Sequence, residues 1–298
     1  MIALAELARL AAEHADDLAR PVAPLRLGDR LIDTDREPVL MGVVNLSRDS
    51  AYRESIAVGA ASAVRKARVQ AAQGAHVIDI GAESSRPSAG LVDVAAQLRA
   101  LAPVIEPLAA EGIAVSIESY DLAVVRAALA SGAVVVNLTG SHHDDAMFSL
   151  AAEYGATVVL CHVLGAHARS LDGSDVQADP VPSMLDGFGA RIARARELGV
   201  EHLAIDPGIG FGFRMDDHLG RARYQATTLL HSFRLRRLGW PICHALPHAF
   251  DVFEDHFRSA EGFYAVLAHL GGTGVYRTHE VPLVRAVLDA LALSDTGL

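Results

Sequence analysis

Short apolar runs alternate with helical patterns along most of this 298-residue chain. The runs cover residues 39–45, 76–80, 113–117, 133–136, 156–161, 202–205, 241–245 and 274–276. Helical periodicity predicts helices over residues 57–72, 91–110, 122–130, 145–154, 182–198, 222–238, 253–270 and 281–293. The runs are nearly continuous in apolar residues, as strands of a parallel sheet buried on both faces are. Eight strand–helix units within about 250 residues predict a (βα)8 TIM barrel. An N-terminal helical extension precedes it: residues 1–24 read as an amphipathic helix and linker, and residues 25–298 as the barrel domain. Residues 21–36 read as a linker and a short polar hairpin.

Most of these runs end in, or contain near the end, one polar side chain: Asn45, Asp79, Glu118, Asn137, His162, Asp206 and Arg277. A TIM barrel collects its strand ends on one face, and catalytic groups sit there. The sharpest stop is Leu203-Ala-Ile-Asp-Pro-Gly-Ile-Gly-Phe-Gly-Phe213. Its alternating glycines permit a tight turn and a close approach of a flat ligand to the main chain. Plainer roles stay open: Asp206 and Asn137 could cap turns or helices, His162 could be a satisfied strand-end histidine, and His279 could complement a turn.

Composition narrows the chemistry. A 51% apolar content supports a large core, and 26 basic against 36 acidic residues give a formal charge of −10. That balance argues against a nucleic-acid or anionic-membrane partner, which needs a basic field. Cys161 and Cys243 lie inside apolar runs and read as buried thiols. Residues 1–20 lack a basic leader followed by an apolar block, and no run reaches the roughly 20 residues that span a bilayer. A soluble cytoplasmic protein is expected.

Seven landmarks follow one another in order. They are Met41-Gly-Val-Val-Asn45 with Asp49-Ser50, Ile78-Asp-Ile-Gly-Ala-Glu-Ser-Ser-Arg-Pro87, Val115-Ser-Ile-Glu-Ser119, Asn137, Asp206-Pro-Gly-Ile-Gly-Phe-Gly212 and Arg277-Thr-His279. The chain thereby resembles dihydropteroate synthase and the wider pterin-binding barrel family. The resemblance implies a transferase that joins a diphosphate-activated pterin to an amine with loss of pyrophosphate. It implies that Glu118, Asn137 and Asp206 ring the pterin, where carboxylates accept from an aminopyrimidine edge and the amide both donates and accepts. Phe211, Ser85, Arg86 and His248 complete the implied substrate-binding set. Arg277, His279 and Asn45 are the implied catalytic group, holding the diphosphate and, through Asn45, a Mg²⁺ ion. A homodimer is also implied.

The departures gather on the aminobenzoate side. Where the family has a Ser-Arg-Lys-Ser motif, this chain has Leu246-Pro-His-Ala249, with His248 at the lysine position. Phe213 stands at another lysine position, Ala51 at a phenylalanine, and Glu118 at an aspartate. A pterin transferase with an acceptor other than p-aminobenzoate is the leading expectation. The alternatives are a noncatalytic paralogue of dihydropteroate synthase and a reduced-folate-binding one-carbon transferase.

Overall fold

The computed structural model describes residues 2–47, 56–57, 59–83, 92–167, 170–171, 177–210, 212–213, 215 and 217–293. Eight parallel strands form its sheet: β1 (Val39–Asn45), β2 (Val77–Gly81), β3 (Ala114–Glu118), β4 (Val135–Leu138), β5 (Thr157–Cys161), β6 (Leu203–Asp206), β7 (Cys243–Ala245) and β8 (Val275–Thr278). Consecutive strands pair from β1 to β6, and β8 pairs with both β7 and β1. The ring closes through a parallel bridge between Ile205 and Ile242, with the Ile205 amide donating to Pro241 O at 3.0 Å.

Eight helices cover this sheet: α1 (Ala60–Ala72), α2 (Val94–Ala110), α3 (Leu122–Ala130), α4 (Asp144–Glu153), α5 (Val181–Glu197), α6 (His218–His231), α7 (Ala260–Leu270) and α8 (Val281–Leu293). Three start on an aspartate cap: Asp93 accepts from Ala96, Asp121 from Ala123 and Val124, and Asp217 from Leu219. Each satisfies amides that the first helical turn leaves unpaired. Alternation along the strands splits the core in two. One set of side chains, including Val44, Ile78, Ile80, Ile117, Val136, Leu160 and Ile205, packs outward against the helices. The other set, Val39, Met41, Val77, Val135, Val159, Ala204, Cys243 and Val275, fills the inside of the barrel.

Four details differ from the sequence-based expectation. The hairpin of Leu25–Leu27 and Arg30–Ile32 is not polar in its packing: Leu25, Leu27 and Ile32 join the inner cluster and floor the barrel. The N-terminal helix breaks at His14 into Leu4–Glu13, with no buried residue, and Ala15–Leu18. Asp17 of the second piece makes a two-point ion pair with Arg237, at 2.6 and 2.7 Å. The helix expected over residues 253–270 starts at Ala260; before it lie a short turn of helix, Phe250–Phe253, and a 3-10 segment, Glu254–Ser259. Positive φ at Ala249 (44°) and Glu254 (47°) breaks the helical path there. Similarly, α6 ends at His231 and continues as a 3-10 segment, Ser232–Leu238.

Candidate functional site

Above the apolar floor, the next inward positions are polar. Two residues beyond Val77 lies Asp79, beyond Val135 lies Asn137, beyond Ala204 lies Asp206 and beyond Val275 lies Arg277; beyond Ala114 come Ser116 and then Glu118. Sheet register sets Asp79 beside Ser116, and places Asn45, Gly81, Glu118 and Asn137 on one continuous rung. The side chains interlock accordingly. Arg277 donates from Nε to Asp79 Oδ2 at 2.8 Å and from a terminal nitrogen to Glu118 Oε2 at 2.6 Å. Asn137 Nδ2 donates to Asp79 Oδ2 at 3.1 Å, and Ser116 Oγ to Asp79 Oδ1 at 2.6 Å. Asp79 is thus the hub, 1% exposed and held by three donors.

One guanidinium among three buried carboxylates leaves an excess of negative charge. Burial pushes Glu118 up to about 7; Arg277 opposes this, whereas Asp79 and Asp206 reinforce it. Burial likewise pushes Asp206 up to about 6, against the Gly208 amide, Arg277 and the Ala245 amide. The same carboxylates hold Arg277 firmly protonated despite its burial. Both raised groups change charge near neutrality, which suits carboxylates that must exchange their protein partners for a ligand's N–H groups.

The glycine turn after β6 is tight for a reason the sequence did not disclose. Gly208 has φ +72°, and a Cβ there would lie 1.9 Å from His162 O. At Gly212 a Cβ would lie 2.4 Å from the same carbonyl. What approaches this backbone is the neighbouring β5 loop, so the glycines secure the position of Asp206, whose Oδ1 accepts from Gly208 N at 2.8 Å.

Of the expected site residues, Glu118, Asn137, Asp206 and Arg277 meet in this ring, and Asn45 stands half-buried at the end of β1 on the same rung. His279 and His248 lie next to it but face a different partner. His248 Nε2 and His279 Nδ1 lie 3.1 and 3.2 Å from Glu261 Oε1. Ser85, Arg86, Phe211 and the loop carrying Asp49, Ser50 and Ala51 lie outside the described residues. Sequence reasoning counted Asp79 among the polar strand-end residues without assigning it a specific role, and it passed over Ser116 and Glu261. A carboxylate in the apolar run Val77-Ile-Asp-Ile80 was a usable signal for Asp79; Glu261, on a helix between a serine–alanine pair and a glycine, offered none.

Beside the ring, a cavity of about 170 Å³ lies between the ends of β4 and β5 and helix α5, lined in part by Gly140, Cys161, His162, Phe188 and Arg191. Arg191 braces it, bonding Asp144 through two nitrogens (2.7 and 2.9 Å), Cys161 O at 2.7 Å and Gly140 O at 2.9 Å. Burial, aided by Arg191, pushes His162 down to about 4, so it is neutral at physiological pH.

Comparison with known proteins matches this architecture. Dihydropteroate synthase of Synechocystis sp. is 32% identical over 224 residues, covering 74% of each chain. The inactive dihydropteroate synthase 2 of Mycobacterium bovis is 31% identical over 287 residues, covering 92% of this chain and 84% of its own. The solved structure of Xanthomonas albilineans dihydropteroate synthase with 4-aminobenzoic acid superimposes with a TM-score of 0.75 at 27% identity, over 92% of this chain and 99% of that one. Residues 41–245, which run from the first barrel strand to the seventh and carry most of the polar ring, match the family described as pterin binding enzyme, and the chain belongs to that family.

Proposed function

We propose that this chain binds a pterin carrying a methyl diphosphate and transfers its methylene carbon to an amine other than p-aminobenzoate. The observation that carries the reading is the buried polar ring of Glu118, Asn137 and Asp206 around the Asp79–Arg277 pair. A flat heterocycle with several N–H donors is recognised by a few convergent acceptors of this kind. Ionised Glu118 and Asp206 accept from the aminopyrimidine edge, and Asn137 fixes its orientation. In the reaction the bond between the methylene carbon and the diphosphate oxygen breaks, a carbon–nitrogen bond forms to the acceptor, and the amine nitrogen releases a proton to water. Arg277 stabilises the charge that accumulates on the departing diphosphate, and for that it must yield part of its bonding to Glu118.

The donor set fits a Mg²⁺ ion as well. Asn45 supplies a hard amide oxygen on the rung shared with side-chain-free Gly81, and Mg²⁺ takes few protein ligands alongside phosphate oxygens and water. When bound, the ion would neutralise phosphate charge; Asn45 would orient it. The acceptor differs from p-aminobenzoate because Leu246-Pro-His-Ala249 follows β7, where the resemblance calls for serines, an arginine and a lysine.

The test is pyrophosphate release from 6-hydroxymethyl-dihydropterin diphosphate with Mg²⁺ and a panel of primary and aromatic amines. Release with one amine class, and none with p-aminobenzoate, supports the proposal. Calorimetric binding without release from any amine would favour a second reading, a pterin-binding protein without transfer. That reading is favoured by the two bonds that already engage Arg277 and by the inactive relative. Light scattering tests the expected homodimer.

A further inference from the structure

Glu261, His248 and His279 form a second constellation, separate from the pterin ring. Glu261 is fully buried at the start of α7, His279 follows β8, and His248 lies three residues beyond β7. Three ligand atoms converge: His248 Nε2 to Glu261 Oε1 is 3.1 Å, His279 Nδ1 to Glu261 Oε1 is 3.2 Å, and the two ring nitrogens are 3.2 Å apart. Three donors around one tetrahedral ion at zinc-ligand lengths stand about 3.3 Å from each other. The observed triangle is therefore within a few tenths of an ångström of a metal-ready face.

The carboxylate is also oriented from behind. Its Oε2 accepts from the Thr278 hydroxyl, from the His279 amide at 3.1 Å and from the Glu280 amide at 3.2 Å. Such bonds aim Oε1 at the two imidazoles and play the part of the outer shell that positions metal ligands. A carboxylate this deeply buried needs a cation or hydrogen-bond donors around it, and two imidazole nitrogens facing it supply either only by carrying a proton or by sharing a metal.

We propose that His248, Glu261 and His279 bind one divalent transition ion of the zinc class. Two imidazole nitrogens and one carboxylate oxygen suit zinc rather than magnesium, which prefers oxygen alone. Three protein ligands leave a fourth position for water or a ligand oxygen, and the partial exposure of both histidines leaves the site in reach of solvent. The site needs neither the transfer reaction nor the Mg²⁺ position at Asn45.

The test is calorimetric titration of chelator-dialysed full-length protein with ZnCl₂, with bound metal counted by elemental analysis. The expected result is one tightly bound zinc per chain and a rise in melting temperature on its addition. His248→Ala should abolish that stoichiometric binding, and Thr278→Val, which removes only an outer-shell bond, should weaken it about 10- to 100-fold. His248 is partly exposed on a loop, so its variant stays folded even if Glu261→Gln does not; circular dichroism checks both. No zinc binding by the wild type, or binding of unchanged affinity in His248→Ala, overturns the proposal and leaves a proton-sharing triad.

Discussion

Replacing Arg277 by methionine keeps most of the side-chain volume but withdraws the cation from the centre of the ring. Two charge-assisted bonds go, at 2.8 Å to Asp79 and 2.6 Å to Glu118. The carboxylates stay behind where water cannot reach them: the side chain of Asp79 is 0% exposed and that of Glu118 8%. Removing one partner of a buried pair costs about 3–5 kcal/mol, a loss of roughly 200- to 5,000-fold in the folding equilibrium. The loss should depend on pH in a definite sense. Glu118 already sits at about 7 in the fold against 4.5 as an ordinary glutamate, and without Arg277 it moves higher. A carboxylate raised in the fold destabilises it only where the unfolded chain is ionised, so the penalty is absent below about 4.5 and grows upward through the folded value. Urea unfolding of wild type and variant at pH 5 and pH 8 measures both. The variant should lose the full amount at pH 8 and less at pH 5, and adding Asp79→Asn should restore part of it. A loss under about 1 kcal/mol at pH 8, or an equal loss at both pH values, would show that Arg277 does not neutralise the buried carboxylates.

Because Glu118 at about 7 and Asp206 at about 6 must both be ionised to accept from a pterin, affinity should rise roughly 1,000-fold from pH 5 to pH 8, about 100-fold of it from Glu118 and about 10-fold from Asp206. Calorimetry across that range checks this, and Glu118→Gln should flatten the rise. Gly208→Ala combines an unfavourable φ of +72° with a Cβ 1.9 Å from His162 O, and should lower stability by about 3 kcal/mol or more. Gly210→Ala, whose Cβ would meet Ala245 Cβ at 3.4 Å, is the control and should change the melting temperature little. Arg191→Ala loses the paired bonds to Asp144 and the two carbonyl contacts, and should cost about 2–4 kcal/mol; an unchanged melting curve would show that the brace is dispensable.

Strand positions were legible because burial on both faces demands local apolar runs. The eight expected strands match the observed ones to within a few residues. Helix starts were less legible. The break before Ala260 depends on two non-glycine residues at positive φ, and neither Ala249 nor Glu254 advertises that conformation. The hairpin was misjudged for a related reason. Arg26, Asp29 and Arg30 make residues 25–32 look polar, but the alternate positions Leu25, Leu27 and Ile32 are the ones that meet the barrel floor.

Which side chains sit at strand ends is readable from residue order alone, because strand alternation and the apolar–polar boundary are local properties of the chain. That order places Glu118, Asn137, Asp206 and Arg277 on one face of a barrel. Which of them partner one another depends on the folded chain. Arg277 reaches Asp79 across 198 residues because β8 pairs with β1, next to β2. Glu261 becomes a buried ligand-like carboxylate only because α7 packs against the end of β8, which turns a position that a helical pattern would leave in water towards two histidines from different loops. Closure of a ring is a long-range event, and no local pattern encodes which carboxylate will find the cation inside it.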